Sequence, residues 1–358
     1  MRLSYTRAAV ALAAVALVLA TAAGAAGAAG GNSFTVTPLV SNNGVTGTTP
    51  DTDLVNAWGL VAGPATPWWV ADNGKGVSTL YTGAGVKNPR VVTVGDAPTG
   101  VVFNGTTGFA IKGGNAAASL FLFDSEAGVI SAWNGSLGNT AETEIDMSPQ
   151  GAVFKGLAIA QTTAGPRLYA TDFHNRRVDV FDGTWQPVNR PFAFLDPTIP
   201  RSYAPFGIQA IGSKVYVTYA KTQAGSDDEA HGAGLGFVDV FDAASGLLAG
   251  KVAFLGPLDA PWGVAQAPDG FGRFGGDLLV GNFGDGRINA YRPILGGLLY
   301  LPDGTLRAPD GAPISIDGLW ALQFGTGSAA SGPTGTLFFT AGPNDESDGL
   351  FGSVAPSP

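Results

Sequence analysis

Three observations predict an all-β fold, a six-bladed β-propeller closed by an N-terminal strand in the last blade. A short pattern recurs six times, a second echo precedes each copy, and one strand-like segment at the start of the chain has no partner in its own unit. The pattern is an apolar pair or triplet, an acidic or amide turn, then a strand ending in an aromatic. Its copies start at Trp68, Phe121, Leu168, Val215, Leu278 and Leu337 and end at Tyr81, Trp133, Phe181, Phe241, Tyr291 and Phe351. The echoes are Ala57-Trp58-Gly59-Leu60, Pro98-Thr99-Gly100-Val101, Phe154-Lys155-Gly156-Leu157, Pro205-Phe206-Gly207-Ile208, Pro261-Trp262-Gly263-Val264 and Leu319-Trp320-Ala321-Leu322. One such unit cannot bury its own apolar face, so repetition at this length implies a solenoid or a propeller.

Each unit reads as four strands. The echo is an inner strand and the apolar triplet a second. A Gly/Asn/Asp hairpin leads to a third, such as Arg177-Val178-Asp179-Val180-Phe181, where polar and apolar residues alternate as on a half-buried strand. Fourth strands are expected at Val91–Val94, Glu142–Ile145, Phe192–Phe194, Lys251–Phe254 and Ile314–Ile316. The echoes begin at Trp58, Thr99, Lys155, Phe206, Trp262 and Trp320, and their unequal spacing places insertions in loops. The longest insertion is Ala220–Gly236, in the fourth unit, and a smaller one is Gly108–Gly114, in the second. The sixth unit runs out of chain after Phe351, while Phe34–Val40 stands alone before the first. Pairing the two completes the last blade and removes the weak joint of an open ring. A pair of β-sandwiches would not explain six matched units.

Composition agrees. Gly (54 of 358) and Pro (24) are abundant and charge is only 13%, as expected of short strands joined by tight turns. Residues 1–31 read as a signal peptide with its cleavage zone: Arg2 and Arg7, then the apolar run Ala8–Ala20, then small residues. That run is roughly 13 residues, short of the ~20 that span a bilayer. The expected organisation is therefore residues 1–31 as export signal, 32–352 as propeller and 353–358 as a short polar tail, with a secreted or periplasmic location. No cysteine is present, so no disulfide framework supports the exported chain. A net charge of −9 argues against nucleic acid and against anionic membrane surfaces after cleavage. A monomer is expected.

The segments 172–182 (DFHNRRVDVFD), 234–242 (GLGFVDVFD), 260–264 (APWGV), 281–290 (GNFGDGRINA) and 339–346 (FTAGPNDE) resemble an uncharacterised family of exported bacterial propeller proteins. That family occurs alongside exosortase sorting systems and is related to the NHL-repeat group. The resemblance covers about Phe34 to Gly352 and implies the propeller fold, but it supplies no chemistry. Members often end in a Pro-Glu-Pro sorting tail, which this chain lacks.

The loops joining second to third strands gather on one face and carry much of the charge. Ligand candidates on this rim are Asp72, Asn73, Glu126, Asp172, His174, Asn282 and Asn344. Oxygen donors from several loops would suit Ca²⁺, with Asp72, Asp172 and Asn282 as its ligands, since each ends or follows its second strand. The same residue types are also ordinary hairpin-turn formers. The two histidines, His174 and His231, are too few for a three-ligand zinc site and read as solvated turn residues. No His-Glu-x-x-His, Gly-x-Ser-x-Gly or phosphate-loop motif occurs. The leading functional expectation is a non-enzymatic binding or scaffold module for a small molecule, glycan or protein on the loop face, with no established cofactor. A Ca²⁺-dependent lactonase-like hydrolase and a His-assisted lyase are the alternatives.

Overall fold

The computed structural model describes residues 31–113 and 117–358. The expected export signal therefore falls almost wholly outside the described residues. Among them the chain is all-β and propeller-like, and its only helices are short 3-10 turns.

Six antiparallel units follow one another, but they form five hydrogen-bonded sheets. The first is Ala57–Val61, Trp68–Asp72, Val77–Tyr81 and Lys87–Thr93. The second is Pro98–Phe103, Phe121–Ser125, Val129–Trp133 and Glu142–Asp146. The third has three strands, Phe154–Thr162, Gly165–Asp172 and Arg177–Asp182. The fourth unit (Tyr203–Ile211, Lys214–Thr222, Gly236–Asp242, Leu248–Phe254) and the fifth (Pro261–Gln266, Leu278–Asn282, Ile288–Ile294, Leu299–Thr305) share one sheet. They join through a single parallel pair of outer-strand residues, Lys251 with Leu299.

The last sheet contains Leu319–Phe324, Leu337–Ala341 and Leu350–Pro356, and Phe34–Ser41 pairs antiparallel with Leu350–Pro356. The orphan N-terminal strand thus sits where the repeat requires it. Residues 353–356, expected in the polar tail, belong to this strand.

Two expected fourth strands are corrected. In the third unit Phe192–Phe194 is not a strand. The outer position holds only a bridge between Phe181 and Pro187, and the chain then turns away through left-handed Phe192 and Phe194. In the fifth unit the outer strand is Leu299–Thr305. Ile314 and Ile316 instead pack as buried connectors, their amides bonded to Leu306 and Gly286 carbonyls.

The repeated echo has a structural cause. In all six units the register between inner and second strand slips at the same place: between Ala57 and Leu60, Pro98 and Val101, Phe154 and Leu157, Pro205 and Ile208, Pro261 and Val264, and Leu319 and Leu322. The two residues left unpaired are the Trp-Gly of the echo or its equivalent. A bulge re-aims a side chain out of the strand pattern. Here the first bulge residue supplies Trp58, Thr99, Lys155, Phe206, Trp262 and Trp320, and the second is the small residue. The small residue has to be glycine where the next inner strand passes. A Cβ on Gly59 would lie 2.6 Å from the Thr99 carbonyl oxygen, and one on Gly207 would overlap that of Trp262. Gly207→Ala is therefore expected to destabilise the fold by about 3 kcal/mol, at the upper end of overpacking costs. Gly135→Ala, with open space around it, serves as the neutral control in the same thermal melts.

Candidate functional site

The bulge residues build a plug across the axis. Trp58 stacks on Trp320 with ring centroids 3.6 Å apart, and Trp262 and Phe206 meet both edge-on. Phe283 stacks on the outer face of Trp320 at 3.9 Å, and Phe173 leans on Phe206. All six rings are buried. Beyond the plug the inner strands leave a cavity of only 30 Å³, lined by Gly59, Gly100, Gly263 and their neighbours. That holds a water or two. The axis is thus blocked along its middle. At the end away from the loops the inner strands frame a pocket of about 240 Å³ lined by Leu60, Val61, Val102, Phe103, Ile159 and Gln323, and the charged side chains gather at the opposite, loop-side mouth.

The mouth is assembled from the first residue after the second strand in five units, Asn73, Glu126, Phe173, Phe283 and Gly342, with Ala220 at the corresponding place on the longer second strand of the fourth. Five of their amides donate to the residue just before an inner strand, for example Asn73 to Asn56 and Glu126 to Ala97, both at 3.0 Å. Of the predicted rim residues, Asn73 and Glu126 are brought together here, with Asn73 Nδ2 donating to Glu126 Oε2 at 3.0 Å. Glu126 Oε1 accepts from the Lys155 ammonium. Asn56 Nδ2 donates to Asn73 Oδ1 and to Glu346 Oε2, and its Oδ1 accepts from Trp320 Nε1 at 3.0 Å. A continuous hydrogen-bonded arc therefore runs Glu346–Asn56–Asn73–Glu126–Lys155 above the aromatic plug.

Lys155 is the single charged residue among the six bulge positions. Its side chain is buried, with the ammonium 5.2 Å from the Trp58 ring centre. Burial alone would lower its pKa, but the Glu126 and Glu229 carboxylates outweigh this and raise it. Lys155 is a fixed cation. Glu229, in the short strand Glu229–Ala230 of the long insertion, reaches the same place. Its side chain is only 6% exposed. The nearest cation is His231, with Nε2 3.7 Å from Glu229 Oε1. The His231 ring stands edge-on to Phe283, and its contact with Glu229 raises its pKa. Burial, then repulsion from Glu229, raises that of Glu346. Glu346 is presented by a costly backbone: Asn344, Asp345 and Glu346 are three consecutive non-glycine residues in the left-handed region, with φ of 56°, 49° and 63°. Each such residue costs on the order of 1–3 kcal/mol, and strain of this kind clusters where a side chain must be aimed.

The remaining predicted residues serve the sheets. Asp72 is buried and its Oδ2 accepts from the amide and hydroxyl of Thr79. Asp172 Oδ1 accepts from the Val153 and Asn175 amides. Asn282 donates to the Pro257 carbonyl and to Asp285. The three expected calcium ligands are thus each engaged within or beside their own unit. No group of three or more His, Cys, Asp or Glu suited to a metal ion occurs among the described residues. His174 is exposed and its Nδ1 lies 2.7 Å from Asp227 Oδ1. Asn344 caps its own loop through Asp348. The sequence reading passed over Lys155, Glu229, Glu346, Asn56 and the site role of His231. Lys155 had a signal, a lysine at a position that is aromatic in four of six echoes.

Fold and mouth together define a propeller-like protein with an axis blocked along its middle and a charged loop-side cup. No protein-family model matches the chain. It belongs to one family with two uncharacterized proteins of Acanthamoeba polyphaga mimivirus. One is 32% identical over 331 residues, covering 88% of this chain and 78% of the viral protein. The other is 32% identical over 333 residues, covering 88% and 84%. Among solved structures, a glucose dehydrogenase superposes with a TM-score of 0.54 at 14% identity, over 90% of this chain and all of that one. The soluble aldose sugar dehydrogenase of Escherichia coli gives 0.52 at 13% identity, over 91% and 100%. At such identities these two establish the fold alone.

Proposed function

We propose that the protein is a six-bladed propeller acting as a non-enzymatic binding module outside the cytoplasm, and that the cup at the axis mouth holds a small cationic, donor-rich ligand such as an amine. The six-fold repeat of the bulge supports the blade count, and the character of residues 1–31 supports export. The exosortase link implied by the sequence resemblance draws no support from the viral relatives and forms no part of this reading. The observation that carries the ligand class is Glu229. A nearly buried carboxylate whose one close cation is a half-exposed histidine 3.7 Å away is under-compensated unless something supplies further donors. With Glu126 and Glu346 beside it and Lys155 as the one fixed cation, the cup has an excess of negative charge. An ammonium group would supply both the further donors and the balancing charge. The hydrolase reading has its three expected ligands in three separate units, Asp72, Asp172 and Asn282 each bonded within or beside its own sheet, and the lyase reading has its two histidines beside separate acids.

Thermal melts with putrescine and glucosamine, against glucose as the neutral match, test this. Ligand at 100 times its dissociation constant stabilises by about 2.7 kcal/mol, so the amines should raise the melting temperature and glucose should not. Glu229→Gln should remove the rise. Affinity should also weaken as pH falls from neutral, because Glu346 then protonates from its raised pKa. Equal stabilisation by glucose, or full binding to the Glu229→Gln variant, rules the reading out.

A further inference from the structure

We propose that the outer rim of the fourth and fifth units is a self-association surface whose occupant is a second copy of this chain. On the strand Leu299–Thr305, Leu299 and Leu301 face outward on either side of buried Tyr300, so the face that should be polar is apolar. Leu247 and Leu248 open the neighbouring outer strand, and Leu295 and Leu298 lie in the turn between Ile288–Ile294 and Leu299–Thr305. Exposures are 54% for Leu247, 38% for Leu248, 70% for Leu295, 59% for Leu298, 51% for Leu299 and 52% for Leu301.

The six are contiguous. Lys251 and Leu299 pair across the two strands, and the Leu298 carbonyl lies against Gly250. That pairing flattens two blade edges into one continuous face. Leu295 is held at φ 50°, a left-handed conformation unfavourable for leucine, in a turn that continues left-handed through Gly296 and Gly297.

The occupant follows from charge and area. The ions around the patch are already satisfied: Lys251 pairs with Asp196, Arg292 pairs with Asp303, and Lys214 donates to the Gly296 and Gly297 carbonyls. In a chain of net charge −9, this is a face that does not repel its own copy, and it offers anionic lipid little to bind. A standard interface covers about 800 Å² per partner, with an apolar core and a polar rim. Six half-exposed leucines ringed by neutralised ions supply such a core, and a two-fold axis lets the same patch serve both copies. This replaces the monomer expected from sequence and is independent of the amine-binding reading.

Sedimentation equilibrium of the chain, up to roughly 100 μM to reach weak affinities, should give twice the chain mass. The double variant Leu299→Glu, Leu301→Glu should sediment as a monomer with an unchanged melting temperature. Leu120→Glu, on an exposed leucine of the second unit, should still dimerise. A monomer at every concentration, or a dimer that survives the double variant, overturns the proposal. So does a monomeric chain that floats with phosphatidylcholine vesicles, which would assign the patch to lipid.

Discussion

A version of the chain beginning at Asn42 is expected to lose the cooperative thermal transition that a version beginning at Asn32 retains. The missing strand is paired along most of its length: Phe34 faces Pro356, Val36 faces Val354, and Val40 faces Phe351 after a bulge. Both ends of it are core. Phe34 is fully buried against Phe271 and Phe274, with ring centroids 4.9 and 5.9 Å away, so it ties the fifth unit to the last. Val40 belongs to the cluster that includes Trp58, Trp68 and Phe351. Replacing one buried phenylalanine by alanine costs about 3–5 kcal/mol, and whole domains are stable by only about 5–15 kcal/mol. Removing the strand deletes Phe34, Val40 and a ladder of backbone hydrogen bonds together, and uncovers the edge of Leu350–Pro356. Circular dichroism melts of the two versions decide this. A peptide spanning residues 32–43, added in trans, should restore part of the transition. Equal melting temperatures would show that the ring does not depend on this closure.

The closing strand was legible because pairing leaves an account that must balance: one unit lacked a strand and one strand lacked a unit. The echo was legible for a similar reason, since a bulge that crowds five successive strands demands glycine in the same place each time. What was not legible depended on contacts between units. Glu229 lies in a glycine-flanked insertion that reads as solvated, yet its two-residue strand pairs with Lys221 and Thr222 and folds the carboxylate over the axis. Glu346 reads as one more turn acid. Its role comes from three left-handed residues in succession, a conformation that suits Asn and Asp but is uncommon for Glu. Asp72, Asp172 and Asn282 lie apart from the arc because residues that end a strand can turn either toward the axis or back into their own sheet. A buried acid beside free amides takes the second course. Phe192–Phe194 has the pattern of a strand, but the third unit's edge is left by the chain after Pro187 and Val188.

The stability of the protein should fall as pH rises from about 4 to about 7, and Asp124→Asn should flatten that fall. Burial pushes the carboxyls of Asp124 and Asp239 up to about 7, and those of Asp179 and Asp277 up to about 6. In the unfolded chain the same groups titrate near 3.9. Between these values the native state holds protons that the unfolded state has released, so unfolding becomes easier with each step upward in pH. Below about 4 the sign reverses. Asp146, Asp242 and Asp348 are held low by hydrogen bonds, and Asp182 and Asp196 are also held low, hydrogen bonds outweighing burial. Their contribution disappears on acidification, which places the optimum in mildly acidic solution. Asp124 is the clearest single source. Its position on the second strand is threonine in three other units, where Thr171 donates to the Phe206 carbonyl at 2.6 Å, Thr340 donates to the Trp58 carbonyl, and Thr218 accepts from the Gly207 amide at 2.8 Å. Asp124 Oδ1 accepts from the Gly100 amide and the Thr99 hydroxyl, at 2.6 and 2.9 Å, while Oδ2 is buried without a partner. Asparagine keeps the first oxygen and replaces the second with a neutral amide that never has to ionise. Melting curves from pH 4.5 to 8 should show the variant more stable than the parent at pH 8 and nearly equal to it at pH 4.5. The slope removed can reach about 1.4 kcal/mol per pH unit for a single proton. A parallel pair of curves, or a variant that melts below the parent at pH 8, would mean that Asp124 is ionised in the folded protein and that its charge is satisfied at the blade interface.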